Sequence, residues 1–249
     1  MSPHESSHWE NRTDGFGTFT PSYYWWAYPI RTHLLYRMLD RYCHSLVCID
    51  AMHEVLELQN RLIDFDVVKN VIALYRFSRF VDWPATVCVI GDGYGIMASL
   101  VKTISPRSNV IVVNLKKILP YDYNQCSKIS DDFRYIPADY AHHLNGEPID
   151  LFINVASMQE MNYTEISRYF DIMRSSKGNR YFYSLNRQEK SLPDGLVIRE
   201  CDYPWKDSDH PILKSIPDWY AGYPTQLPPF WEKFDGPVVE RFVRLSYLD

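Results

Sequence analysis

Two periodicities divide the chain. Over residues 30–80, apolar residues recur at the three- and four-residue spacing of helices. Ile30, Leu34, Leu35, Met38 and Leu39 form one stripe. Met52, Val55, Leu56 and Leu58 lie among Glu54, Glu57 and Arg61 in a second segment over about 49–63, and a third runs over about 67–80. At Asp82-Trp83-Pro84 the pattern changes. Residues 87–90 are a short continuous apolar run, the signature of a strand buried on both faces, and they enter Gly91-Asp92-Gly93-Tyr94-Gly95 before a helical stretch at 96–104. Apolar runs at 109–113, 133–136, 149–153 and 181–185 predict further strands, with a polar interval before the run at 133. Asn162, with Glu165 three residues on, predicts a capping box that starts a helix to about Met173. Strands alternating with helices imply an α/β fold, Rossmann-like, on a mostly parallel sheet.

After Arg187 the rhythm breaks. Residues 202–235 are dense in proline and aromatics, among them Trp205, Trp219, Tyr220, Phe230 and Trp231. Prolines exclude a long helix or central strand there, so an ordered loop layer or lid is expected. The pattern at 238–248 predicts a late antiparallel strand. At the other end, residues 1–20 are polar and read as a loose arm, followed by the aromatic cluster Tyr23, Tyr24, Trp25, Trp26 and Tyr28. The expected organisation is an arm and helical extension over 1–80, then a cofactor-binding domain over 81–249 with its lid at 202–235, in a single compact unit.

Composition narrows the partners. With 249 residues, 46% of them hydrophobic, the chain can bury one substantial core. Cys43, Cys48, Cys88, Cys126 and Cys201 are odd in number and form no C-x-x-C pair, which suggests neither a disulfide framework nor a zinc site and fits a reducing, cytoplasmic setting. No apolar run is long enough to span a bilayer, and the polar start is unlike a signal peptide. A net charge of −5 without clustered Lys and Arg argues against nucleic acid and for a small or neutral partner.

Candidate chemistry lies at the strand ends, where open parallel sheets bind ligands. Gly91, Gly93 and Gly95 remove side chains where backbone approaches a ligand, and the following helix would offer free N–H groups to an anion. The spacing is G-x-G-x-G, with Ile96 and Met97 next, not the G-x-G-x-x-G of dinucleotide enzymes. A short-chain NAD enzyme would also need a Tyr-x-x-x-Lys pair, which the chain lacks. Asn154, Ser157, Gln159 and Glu160 exceed what helix capping requires, since Asn162 already supplies a cap.

Val87-Cys88-Val89-Ile90-Gly91-Asp92-Gly93-Tyr94-Gly95 resembles motif I of class I S-adenosylmethionine methyltransferases. Residues 149–161, with their N-x-x-S-x-Q-E-M pattern, together with Tyr181-Phe182-Tyr183-Ser184-Leu185-Asn186-Arg187, are similar to a sugar O-methyltransferase family. The resemblance covers about 80–190. It implies S-adenosyl-L-methionine as cofactor and transfer of its methyl group to a hydroxyl of a small, sugar-containing acceptor. The cofactor residues it implies are Gly91, Asp92, Gly93, Tyr94, Gly95, Asn114, Asp139, Asn154 and Ser157. Two positions depart from the pattern: Val89 stands where an acid is usual, and Asn114 where Asp or Glu takes the ribose hydroxyls.

Methyl transfer to a hydroxyl needs an oriented acceptor and a base. Glu160 is the first candidate base, with His143 and His210 in reserve. Asn186 is a further catalytic candidate, and Gln159 and Arg187 are expected to hold the acceptor. No metal is expected, and the adjacent His142 and His143 are expected to diverge. The alternatives are a non-catalytic module that keeps the fold as an interaction surface, with Val89 and Asn114 in its favour, and methylation of a non-sugar acceptor.

Overall fold

The computed structural model describes residues 28–223, 225 and 231–247. The expected arm, Trp25, Trp26 and Phe230 lie outside the described residues.

Three helices come first: α1 (Tyr28–Tyr42), α2 (Leu46–Gln59) and α3 (Phe65–Ser78). Helix α2 begins and ends earlier than its apolar stripe suggests, for reasons local to its caps. Ser45 accepts the Cys48 N–H at the start, and Asn60 ends the helix in the left-handed region at φ +50°. Asp64 caps α3 by accepting the Val67 N–H. The alternating unit follows as β1 (Thr86–Ile90), α4 (Ile96–Ile104), β2 (Asn109–Asn114), α5 (Leu119–Cys126), β3 (Phe133–Pro137), β4 (Leu151–Val155), α6 (Tyr163–Ser175) and β5 (Tyr181–Arg187). Helix α5 occupies the interval that reads as merely polar; Pro120 in its first turn favours its start. At α6, Asn162 accepts the Glu165 N–H, whereas the Glu165 carboxylate pairs with Arg168, so only half of the capping box forms.

Beyond β5 come a hairpin of β6 (Glu189–Ser191) and β7 (Val197–Arg199), then β8 (His210–Ser215), the short pair β9 (Gly222–Tyr223) and β10 (Glu232–Lys233), and finally β11 (Val238–Arg244). The main sheet has seven strands in the order β3-β2-β1-β4-β5-β11-β8, with β11 antiparallel to both neighbours and the other six running one way. Part of the proline-rich segment is therefore sheet rather than loop. Strand β8 tolerates Pro211 because it lies at the edge.

The central strands divide two hydrophobic clusters by their period of two. Val87, Val89, Val110, Val112, Leu151 and Ile153 face a cluster with α1–α4, and Cys88, Ile90, Ile111, Val113 and Phe152 face one with α6. Buried ion pairs tie the periphery to this frame. Glu240 on β11 is wholly buried and accepts from Arg76 on α3, from Ser215 at 2.7 Å and from the Tyr183 hydroxyl at 2.9 Å. Arg174 on α6 holds Asp209 through two hydrogen bonds of 2.7 and 2.8 Å. Among the described residues no helix is long and apolar enough to cross a membrane.

Candidate functional site

Strand order reverses between β1 and β4, and the carboxyl ends of these strands define the crevice where such sheets bind ligands. The loop leaving β1 holds four consecutive or near-consecutive residues in the left-handed region: Gly91 at φ +69°, Gly93 at +59°, Tyr94 at +63° and Gly95 at +66°. Two of the glycines answer to the chain's own packing. A Cβ on Gly91 would fall 2.2 Å from Ser157 Oγ, and one on Gly95 would fall 2.4 Å from Cys126 Sγ.

The start of α4 does not offer all of its N–H groups to a ligand, as the sequence leads one to expect. Asp92 turns inward and accepts the N–H groups of Met97 and Ala98, each at 2.7 Å. The carboxylate attracted by the helix terminus is the chain's own. Burial lifts the Asp92 carboxyl to about 6, against the pull of those two N–H groups and of Arg61 and Lys69. Beside it a cavity of about 10 Å³, room for about one water, is lined by residues including Asn70, Val89, Asp92, Met97 and Val155.

At the end of β2, Asn114 donates to Asp122 on α5 at 2.8 Å and accepts the following Leu115 N–H at 2.9 Å. Asp122 is fully buried; burial and the nearby charge of Asp92 raise its carboxyl to about 7, while the Asn114 amide and the N–H groups of Gly95 and Tyr94 pull it down. An acid is thus present at this strand end, but it comes from the next helix. Tyr94 packs edge-on against Tyr121, with centroids 5.5 Å apart.

Across the switch point a closed polar network joins three strand ends. Asn154 donates to the Ile90 carbonyl at 2.9 Å and to Ser157, and Ser157 donates to the same carbonyl at 3.0 Å. The Asn154 oxygen accepts from the Met158 N–H at 3.1 Å and from Asn186 at 2.9 Å. Asn186 also accepts the Gln159 N–H at 3.2 Å, and Gln159 accepts the Arg187 N–H at 2.7 Å. Asn154, Gln159 and Asn186 are all buried. The network fixes Glu160, whose carboxylate receives the Gln159 amide at 3.3 Å and an ion pair from Lys190 on β6.

An aromatic wall includes Tyr220, whose hydroxyl feels the charge of Glu160. Tyr220 lies 5.2 Å from Phe234, over whose ring the Arg187 guanidinium sits at 4.5 Å, and Phe65 of α3 packs against Tyr220 at 5.7 Å. Burial raises the Tyr220 hydroxyl, and the charges of Lys69, Asp66, Arg187 and Glu160 all act on it. Trp219 stacks on Tyr220, while Trp205 packs against Phe170 and Phe182 within the sheet–α6 core. Lys190, Lys69 and Asp122 carry no strong sequence signal, the K in N-R-x-x-K at 186–190 being the one local cue, whereas Tyr220 stands out as one of the aromatics of the expected lid.

Asp139 and His143 are exposed side chains on the 3-10 segment Ala138–Leu144 after β3, and neither shares in the hydrogen bonds of the network described above. The rings of His142 and His143 do not diverge: their centroids are 4.4 Å apart, edge to face, so a favourable ring contact turns the two side chains toward each other. His210 is exposed at the start of the edge strand β8. Among the described residues no group of His, Cys, Asp and Glu is arranged to hold a metal. One metal-type spacing, H-E-x-x-H at His4-Glu5-Ser6-Ser7-His8, lies outside the described residues.

The fold has counterparts among solved structures. A Thermoplasma acidophilum protein, 1320, superposes with a TM-score of 0.56 at 12% identity, over 80% of this chain and 98% of that one. A candidate RNA methyltransferase of Pyrococcus horikoshii superposes at 0.53 and 12% identity, over 78% and 98%. The fold is that of the class I methyltransferases. A third structure, reporting conversion of a disulfide bond into a thioacetal group during echinomycin biosynthesis, superposes at 0.50 and 11% identity, over 72% and 81%. No protein-family model and no curated protein sequence matches the chain.

Proposed function

We propose that the protein is an S-adenosylmethionine-dependent O-methyltransferase acting on a hydroxyl of a small acceptor, for which a sugar is the reading the N-x-x-S-x-Q-E-M and N-R segments favour. The observation that carries this is the glycine loop with its left-handed run from Gly93 to Gly95, set at the switch point of a methyltransferase-type sheet. S-adenosylmethionine, when bound, supplies a methyl group activated by its positively charged sulfonium.

The chain's own residues divide the work. Gly91, Asp92, Gly93, Tyr94 and Gly95 form the cradle, and Asp92 holds it rigid by capping α4. Asn114 and Asp122 together replace a single strand-end acid, their contact orienting the carboxylate. Asp139, in the segment after β3, joins the cofactor residues on the strength of the resemblance. Asn154, Ser157 and Asn186 position the β4 and β5 ends, and through Gln159 they fix Glu160. Glu160 accepts the acceptor's hydroxyl proton, with Lys190 holding its carboxylate in place; His143 and His210, both exposed, are weaker choices. Arg187 and the Tyr220–Phe234 wall bind the acceptor, a planar ring face against sugar carbons and a guanidinium toward hydroxyls. Residues 1–80 act as the extension and 202–235 supply the acceptor-side wall, in a cytoplasmic protein.

A second reading has its own observation. Both ends of the Asn114 amide are engaged within the chain, as is the carboxylate of Asp92, which suits a module retaining the fold as a binding surface. The experiment that separates the two is transfer of radiolabelled methyl from S-adenosylmethionine to a panel of monosaccharides and glycosides, with Glu160→Gln as control. Label appearing in an acceptor and lost with Glu160→Gln supports the enzyme; cofactor binding without transfer to any member supports the module or another acceptor.

A further inference from the structure

Arg187, the last residue of β5, differs from the other cations around the aromatic wall. Lys190 is paired with Glu160, and Lys69 on α3 is paired with Asp66 at 2.6 Å. The Arg187 guanidinium lies instead over the ring of Phe234, 4.5 Å from its centroid, and among the described residues no carboxylate is paired with it. Its backbone is fixed from two sides. The Arg187 N–H donates to Gln159 at 2.7 Å, and the residue is in register with Val238 of β11.

A guanidinium over a ring face keeps its N–H edge for a partner, and that edge is the fork that matches the two oxygens of an oxyanion. The position is open to a ligand. Arg187 and Phe234 are both half-buried, and Tyr223, whose ring packs against Phe234 at 5.6 Å, is 37% exposed.

We propose that Arg187 determines acceptor specificity by binding a carboxylate, so that the acceptor is a hydroxy acid of the uronic acid class rather than a neutral sugar. The inference rests on the methyltransferase reading above and names the class of acceptor within it. Charge favours this class. The pairs at Glu160 and Asp66 are balanced, which leaves the guanidinium as one positive charge partly withdrawn from water, and such a charge favours an anionic partner. Glu232 and Asp235 also act on the rim at Tyr223, but both are exposed, where water and salt screen them. One charge matches a carboxylate better than a phosphate monoester, which carries about two.

Geometry connects this charge to the expected base. The buried Gln159 accepts the Arg187 N–H and donates its own amide to Glu160 at 3.3 Å, so one side chain sets both positions. The Tyr220 hydroxyl feels the charges of Arg187 and Glu160 together. A carboxylate held at Arg187 would therefore fix where the acceptor's hydroxyls stand relative to Glu160, with its ring carbons on the aromatic wall.

The test is calorimetric titration of the full chain with matched methyl glycosides, glucoside against glucuronide and galactoside against galacturonide, the members of a pair differing only in a hydroxymethyl or carboxylate group. The corresponding sugar phosphates form a third arm. At least one uronide should bind at least about tenfold more tightly than its neutral partner, as one charge-assisted contact allows. Arg187→Gln should abolish that margin, and Arg187→Lys, which keeps the charge without the fork, should restore part of it. Equal affinity within both pairs, no binding of either uronide, a tighter hold on the phosphates, or a margin that survives in a folded Arg187→Gln variant would overturn the proposal. The comparison within each pair uses the natural chain and holds even if Arg187→Gln does not fold. S-adenosylmethionine is titrated alongside: cofactor binding without a preference for uronides overturns this inference alone, whereas absence of cofactor binding overturns it together with the reading on which it rests.

Discussion

The side-chain amides of Asn186 and Asn154 meet 2.9 Å apart at the carboxyl ends of adjacent strands, both wholly buried. Through this contact β5 is locked to β4, and through Asn154 and the Ile90 carbonyl β4 is locked to β1. Asn154→Ala would leave the Met158 N–H and one of the two Asn186 amide N–H groups without acceptors, the other still donating to Ser184. Leaving a buried polar group unsatisfied costs about 1–3 kcal/mol. Urea denaturation should show a loss of at least that size, with an unchanged slope.

The pair of Arg76 and Glu240 makes a sharper demand, because Glu240 has no exposure at all. Arg76→Met leaves a carboxylate buried without its cation, a change worth about 3–5 kcal/mol. Adding Glu240→Gln should recover part of that loss, since Tyr183 and Ser215 still have an oxygen to bond. Thermal unfolding of the two single variants and the double variant measures the coupling.

Gly95→Ala tests the internal packing of the glycine loop. The new Cβ meets Cys126 Sγ and is forced into the left-handed region at φ +66°. The backbone conformation alone costs about 1–2 kcal/mol, and the clash adds to it. Combining Gly95→Ala with Cys126→Ala should return the clash part and leave the backbone part. Equal losses in the single and double variants would contradict this packing.

Asp122 predicts a pH dependence with a definite sign. Its carboxyl is raised to about 7 by burial first and by Asp92 second. The folded chain therefore binds a proton that the unfolded chain has released, and stability falls as pH rises from about 4 to about 7. Asp122→Asn keeps an oxygen for the Asn114 amide and removes the titration. Its stability should change less with pH over that interval, measured as the denaturation midpoint at half-unit steps.

Much of this architecture is legible in the sequence wherever burial on both faces writes a continuous apolar run. That holds for the runs that become β1, β2, β4 and β5. Helix α5 is not legible in the same way. It is eight residues long, with Tyr121 and Tyr123 exposed and Asp122 buried, which inverts the usual pattern. Strand β8 hides behind Pro211, a residue that only an edge position permits. Around the site, polar residues on strand-end loops mark Asn154, Ser157, Gln159 and Glu160, but residue type does not tell an inward-facing strut from a ligand contact. The same limit applies to Asp92, whose inward turn depends on the three-dimensional course of the glycine loop. Lys69 and Glu160 act on Tyr220 from segments more than fifty residues away, a proximity that no local spacing encodes.

The central claim is that the glycine loop binds S-adenosylmethionine, and calorimetric titration with S-adenosylmethionine and S-adenosylhomocysteine tests it most directly. The Gly93→Trp variant, first checked for cooperative unfolding, serves as control because it sets a bulky side chain in the middle of the loop at a left-handed position that favours glycine. The account predicts saturable binding of both ligands by the natural sequence and its loss in a folded Gly93→Trp variant. No binding by the natural sequence at millimolar ligand, or binding that a folded Gly93→Trp variant retains in full, would contradict it.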